Sequence, residues 1–383
     1  MKKIKSIILL VVIVLCNFIH INSINIYANE SNENMIVPNE VNNYFTSIFE
    51  EAISIWNLDK KIDYKTEYRI GEPFVVYRLT ENNAVWYYPI YNGKDVICNI
   101  VVSYICNEFT YAISEEYVTA LNCINSDKWI IYAEKEKIYL ITQENKLFDI
   151  SNGNFNEILS SITYSEIYNE YVENYNCIKI IKENNLKMKR AYSKGGSTRT
   201  ITNGRECIMT DCLIRQYNYS LCWAASIASI VRYLDGSYIN KNLNAFDVAT
   251  VRADYYDLLD PNQGANDKEM KTVLALYGVY YSVLNRRVKN TEIVKEIDNG
   301  YPIIMGSKCS YIDENGQLKS GAHATVLYGY YNLDYKKYYK VWNPGNATTQ
   351  IVSENTYGDI NLGYNGHNYL WYSSLAKGTY VVK

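Results

Sequence analysis

The run "CWAASIASIVRYL", residues 222–234, constrains this chain more than any other stretch. Trp223, Ile227, Ile230, Val231 and Leu234 recur on one side of a helix, and small residues fill most of the remaining positions. Such a helix needs a protein core to receive it. It also places Cys222 at its first turn, where backbone N–H groups and the helix dipole favour an anion. Cys222 therefore has two readings: a buried packing residue, or a nucleophile whose supporting groups lie elsewhere in the chain.

The 383 residues suffice for two domains behind a leader. Lys2, Lys3 and Lys5 precede an apolar run from Ile7 to Leu15, too short to span a bilayer but suited to a secretory signal over residues 1–28. No later segment is apolar enough to cross a membrane, so a secreted, extracellular protein is expected. Residues 40–58 carry a broad apolar helical face that includes Val41, Phe45, Ile48 and Phe49. From Pro73 to about Ile150 the text turns to strands: "PFVVYRLT", "AVWYYPIY", "VICNIVVSYI" and "KWIIYAEKEKIYLIT", with a turn at Asn92-Gly93. A second helical stretch covers about 164–185. The segment 29–190 is thus a strand-rich α+β domain with no histidine and no catalytic constellation.

Residues 186–204, "LKMKRAYSKGGSTRTITNG", read as a basic, flexible joint open to proteases. Behind it, 191–383 begins helical and ends in strands. "NDKEMKTVLALYG" is a helix capped by Asn266 or Asp267 and ended by Gly278. A short helix at 291–298 leads to the strands "PIIMGS", "HATVLYGYY" and "KKYYKVW", with a turn at Glu314-Asn315-Gly316. Two packed layers of this kind leave a cleft where they meet.

Charge divides the same way. Residues 29–190 hold 15 Lys and Arg against 24 Asp and Glu, a net of −9; residues 191–383 hold 20 against 17, a net of +3. Two parts of opposite sign attract within one chain. Neither has the dense basic patch of a nucleic-acid binder. Nine cysteines are sparse for a disulfide scaffold, and no pairing of Cys98, Cys106, Cys123, Cys177, Cys207, Cys212 and Cys309 follows from sequence. Only His323 and His367 lie beyond the leader, which argues against a zinc site; no metal or cofactor is expected.

His323, in "GAHATVLYGYY", begins an apolar strand between small residues that should leave its ring accessible. His367 lies in the polar tail "GYNGHNYLWYSS" and reads as structural. A catalytic imidazole needs a partner to hold its tautomer. Asn343 in "YYKVWNPG" can supply a side-chain carbonyl, and Pro344 keeps it extended. Trp342 or Trp371 could shield that pair. Acyl transfer also needs donors for a developing oxyanion, which the Gln216 amide and the Cys222 N–H could provide.

The order Gln216, Cys222, His323, Asn343, with "Q-x5-C-W", "HATVLYG", "WNP" and a terminal "WYSS", resembles the papain-like cysteine peptidases, and more narrowly the staphopain family of secreted bacterial peptidases. The resemblance covers most of 210–380. It implies an α+β fold: a papain-like two-lobed catalytic domain, helical lobe plus antiparallel β lobe, behind a strand-rich α+β prodomain. It further implies Cys222 as nucleophile, His323 as general base and acid, Asn343 as orienter and Gln216 in the oxyanion hole. Protein or peptide substrates, the chain's own propeptide as intramolecular inhibitor, a dedicated proteinaceous inhibitor and a monomeric enzyme are implied with it. The chain departs from the wider papain group in the Tyr219-Ser220-Leu221 before Cys222 and in the short interval of 101 residues between Cys222 and His323.

On this reading the protein is a latent zymogen, and cleavage between about Lys187 and Arg199 releases activity. Two other classes stay open at the sequence level. A secreted thiol amidase would use the same chemistry on cell-wall peptides and release soluble muropeptides. A binding protein rich in its 40 tyrosines would leave Cys222 inert to an epoxide thiol-protease inhibitor.

Overall fold

The computed structural model describes residues 37, 39–62, 66–77, 85–105, 108–126, 128–134, 137–153, 155–175, 201–217, 219–312, 318–333, 336–354, 360–364 and 367–378. The expected leader, most of the basic joint, residues 176–185, the turn at 314–316, Cys106 and Cys177 lie outside these residues.

The chain is α+β with antiparallel sheets. Helix α1 (Asn39–Lys60) turns Val41, Phe45, Ile48, Ala52 and Ile55 into the core at helical spacing. Strands β1 (Arg69–Ile70), β2 (Val85–Asn92), β3 (Asp95–Ile105) and β4 (Glu108–Ser114) form an antiparallel meander beneath it. The β2–β3 hairpin turns at Gly93, whose φ of 64° suits a residue without a side chain. Helix α2 (Val118–Cys123) leads to a separate four-stranded sheet: β5 (Trp129–Glu134), β6 (Lys137–Thr142), β7 (Leu147–Asp149) and β8 (Asn156–Ile158). Helix α3 (Tyr164–Tyr175) packs on β5.

One expected strand is replaced by something else. Residues 73–77 form only two isolated bridges, Phe74 to Tyr87 and Tyr77 to Tyr132. The segment crosses from one sheet to the other, so it cannot pair along its length with either.

The rear half opens with β9 (Ile201–Glu206), which pairs with β12. Residues 201–204 were expected in the flexible joint and are instead a ladder strand. Helices α4 (Cys222–Leu234), α5 (Ser237–Asn240), α6 (Ala245–Tyr256) and α7 (Asp267–Leu276) form the helical layer. Helix α7 starts at an Asn266 capping box with Glu269 and gives way to Gly278 at φ 77°. Strand β10 (Ser282–Leu284) and helix α8 (Asn290–Asp298) follow. The β layer is β11 (Ile303–Ile312), β12 (Leu318–Leu333), β13 (Lys336–Asn343), β14 (Thr348–Ser353), β15 (Asn361–Tyr364) and β16 (His367–Ala376).

The sheet does not stop at the boundary between the halves. Strand β14 pairs with β4 through Gln350–Ser114, Ile351–Ile113 and Val352–Ala112. The resulting sheet has twelve strands and runs β1-β2-β3-β4-β14-β13-β12-β11-β16-β10 along its main path. The front and rear halves therefore share one backbone ladder rather than closing as separate sheets.

Candidate active site

Helix α4 is buried along almost its whole length, including Cys222, Ala225, Ile227, Ile230 and Val231. Small Ala and Ser side chains let α6, α7 and β12 approach it from different sides. Cys222 is the first residue of α4, preceded by a 3-10 turn at Tyr219–Leu221, and the capping residue Leu221 offers no side-chain bond. The first N–H groups of the helix therefore have no competing side-chain acceptor from the cap.

The Cys222 Sγ accepts a hydrogen bond from the backbone N–H of Ala324 at 3.4 Å. That contact brings the thiol to the strand residue beside His323. Burial pushes the thiol above its usual range, against the backbone N–H groups of Ala324, Trp223 and Cys222, which pull it down. His323 Nε2 lies 2.7 Å from Asn343 Oδ1. The same Oδ1 accepts from the Gly345 N–H at 3.0 Å, which identifies that atom as the amide oxygen. Nε2 must then carry the proton, and Nδ1 is the basic nitrogen. Burial drives the imidazole down to about 4, opposed by its bond to Asn343.

Asn343 ends β13, and its turn organises Gln216. The Gln216 N–H donates to Pro344 O at 2.9 Å, and Trp342 Nε1 donates to Ile214 O at 3.0 Å. On the other side, Ile214 N–H donates to Ser229 Oγ at 2.9 Å. The Ile214–Gln216 segment is thus fixed to the Asn343 turn and to α4 together. Gln216 and Asn343 are 1 % and 0 % exposed, and the Gln216 Oε1 and Asn343 Nδ2 atoms have no hydrogen-bond partner among the described residues.

The four expected residues are therefore linked in one chain of contacts running Cys222, Ala324–His323, Asn343–Pro344, Gln216. One expectation fails: the His323 ring, read as accessible between small neighbours, is only 4 % exposed, and Cys222 only 8 %. Small neighbours along a strand say nothing about what packs across it. Tyr369 of β16 lies against the imidazole, ring centroids 5.6 Å apart. Trp342 acts through Ile214, and Trp371 bonds Ser373 O and Ser374 Oγ. Behind Cys222, Trp223 donates to Gln263 O at 3.1 Å and lies under Arg252, which pairs with Glu269. Sequence reasoning missed Tyr369, Ser229 and Arg252, since no local motif marks them. His367 begins β16.

Comparisons bear on the same residues. The family described as papain-like cysteine protease AvrRpt2 matches residues 208–357, a span that holds Gln216, Cys222, His323 and Asn343. Two curated relatives, each an extracellular cysteine protease from a strain of Staphylococcus epidermidis, are 22% identical over 345 residues, covering 83% of this chain and 81% of theirs. A solved Bacillus anthracis chain described as a C39-like peptidase covers 39% of this chain and 98% of its own at 11% identity; its TM-score of 0.25 carries no argument. The family match and the relatives support a papain-like cysteine peptidase, a hydrolase acting on peptides. Among the described residues, no helix is long and apolar enough to cross a membrane.

Proposed function

We propose that the chain is a secreted, staphopain-like cysteine endopeptidase made as a latent zymogen, with the peptidase in 191–383 and an inhibitory propeptide domain in 29–190 behind a 1–28 leader. The observation that carries the reading is the fixed tautomer of His323. With Nε2–H held by Asn343, Nδ1 is left to take the Cys222 proton. The thiolate attacks the scissile carbonyl carbon, and the oxyanion is held by the Cys222 N–H and the Gln216 side-chain amide. The imidazolium then protonates the leaving amine, and the C–N bond breaks to leave a thioester on Cys222. Water, deprotonated by His323, attacks the thioester; the released acid and the reprotonated thiol complete the cycle.

Latency draws support from the β4–β14 ladder, which ties the front half to the sheet that carries His323 and Asn343. Burial also favours the neutral thiol and neutral imidazole over the ion pair that attacks. Residues 29–383 and a Cys222→Ala copy, incubated with casein before and after the front half is removed, test the reading. The expected result is little hydrolysis by the intact chain, internal peptide-bond cleavage by the trimmed one, and none by the Cys222→Ala copy. Full activity of the intact chain would remove the latency claim; an inactive, epoxide-resistant Cys222 in folded trimmed protein would remove the peptidase.

A further inference from the structure

Helix α1 carries two buried carboxylates eight residues apart, and each is gripped by the rear half. Glu51 accepts from Lys336 Nζ at 2.8 and 2.9 Å, from Tyr338 OH at 2.5 Å, and from Tyr111 OH of the front half at 2.8 Å. Asp59, whose side chain is 1 % exposed, accepts from Tyr331 OH at 2.7 Å and pairs with Lys340 Nζ at 2.7 Å. Lys340 also reaches Glu206 of β9 at 2.6 Å. On the same helix, Phe45, Ile48, Ala52 and Ile55 share one apolar cluster with Tyr331, Leu333, Tyr338 and Ile351 of the rear half. Beside them the β4–β14 ladder joins the halves through their backbones.

Each part belongs to interfaces that persist. The apolar contact resembles a domain core cut in two. Removing one partner from the buried Asp59–Lys340 pair is strongly destabilising, because the other charge stays buried. Burial also weakens salt screening, which acts chiefly on exposed charges. Hydrogen bonds outweigh the burial that would otherwise raise the Glu51 carboxyl, and hold it below its usual range.

We infer that cutting the joint does not free the front half: it stays seated as a second chain on the β12–β13–β14 face, held by the α1 carboxylate pair and the shared ladder. Activation of the proposed zymogen then takes two events, a cut and a later removal. The attraction between a net −9 and a net +3 is not what holds the halves.

The test uses full-length protein with Cys222→Ala, to prevent self-digestion, and a site-specific protease sequence inserted between Arg190 and Arg199. After complete cutting, the fragments are followed by size exclusion with mass detection at low and high salt. One co-eluting species at both salts is expected. Separation at either salt would overturn the inference. The isosteric pair Glu51→Gln with Asp59→Asn should loosen the cut complex at least about tenfold, while exposed Glu50→Gln changes nothing. A complex as tight as the parent in the double variant would overturn the role of the carboxylates. The readout is mass, not hydrolysis, so failure here is separate from failure of the peptidase reading.

Discussion

Asn343 Oδ1 takes two hydrogen bonds at once, from His323 Nε2 at 2.7 Å and from its own turn at Gly345 N at 3.0 Å. The second bond prevents the amide from flipping without losing a buried partner. The first fixes which imidazole nitrogen holds the proton. The turn that follows Asn343 thereby sets the acid–base state of a residue twenty positions earlier in the chain.

Cys222→Ala and His323→Ala should each lower peptide hydrolysis by about 10⁴-fold or more while the fold persists. Asn343→Ala should cost on the order of a hundredfold, because it removes orientation and leaves the reacting groups. Initial rates with a fluorogenic peptide, alongside circular dichroism of each variant, decide this. A folded His323→Ala protein turning over near the parent rate would dismiss the assignment.

Gln216→Ala should lower turnover by about a hundredfold through loss of one oxyanion donor. The Gln216 N–H bond to Pro344 O uses backbone alone and survives the change. Alkylation of Cys222 by iodoacetamide should therefore proceed as in the parent trimmed enzyme. Unfolding, or a thiol that no longer reacts, would assign Gln216 to structure.

The pH dependence has a defined sign. The imidazole titrates near 6.5 when unfolded and about 4 when buried, so the unfolded state takes the proton first as pH falls. His323 should cost the fold about 3 kcal/mol between pH 6.5 and 4. Urea unfolding of the parent and of His323→Gln across that range isolates this part. Parallel stability curves for the two proteins would contradict it.

Gly153 sits at φ 73°, and a Cβ there would meet Asn346 O at 2.8 Å. Around this contact a cavity of about 100 Å³ is lined by Glu115, Glu116 and Tyr117 from the front and by Asn346–Thr348 from the rear. Gly153→Ala should destabilise the protein by about 1–3 kcal/mol, from positive φ and from pressure on the rear turn. Thermal unfolding of the uncut chain measures it. No loss of stability would mean that the turn yields freely.

Local patterns made much of this legible, and their limits are physical. Cys222–Leu234 shows in sequence because its apolar spacing begins and ends sharply, and α7 because Asn266 and Gly278 bracket it. Helix α6 escaped because Phe246, Tyr255 and Tyr256 face solvent and blur the stripe. Its Asn244–Asp247 capping box was the available signal. The order Gln216, Cys222, His323, Asn343 picked out residues that the fold brings together, but burial of His323 under Tyr369 depends on a residue 46 positions later. The β4–β14 pairing was out of reach, since each strand reads equally well as an edge.

Ser114 meets Gln350 across 236 residues of chain. During synthesis the N-terminal sheet is complete long before its last neighbour exists, and β4 waits with an open row of amides and carbonyls. Non-local closure of this kind is slow. The nascent protein therefore passes through a long interval in which its stickiest edge is bare, and its yield should depend on how quickly the C-terminal strands arrive.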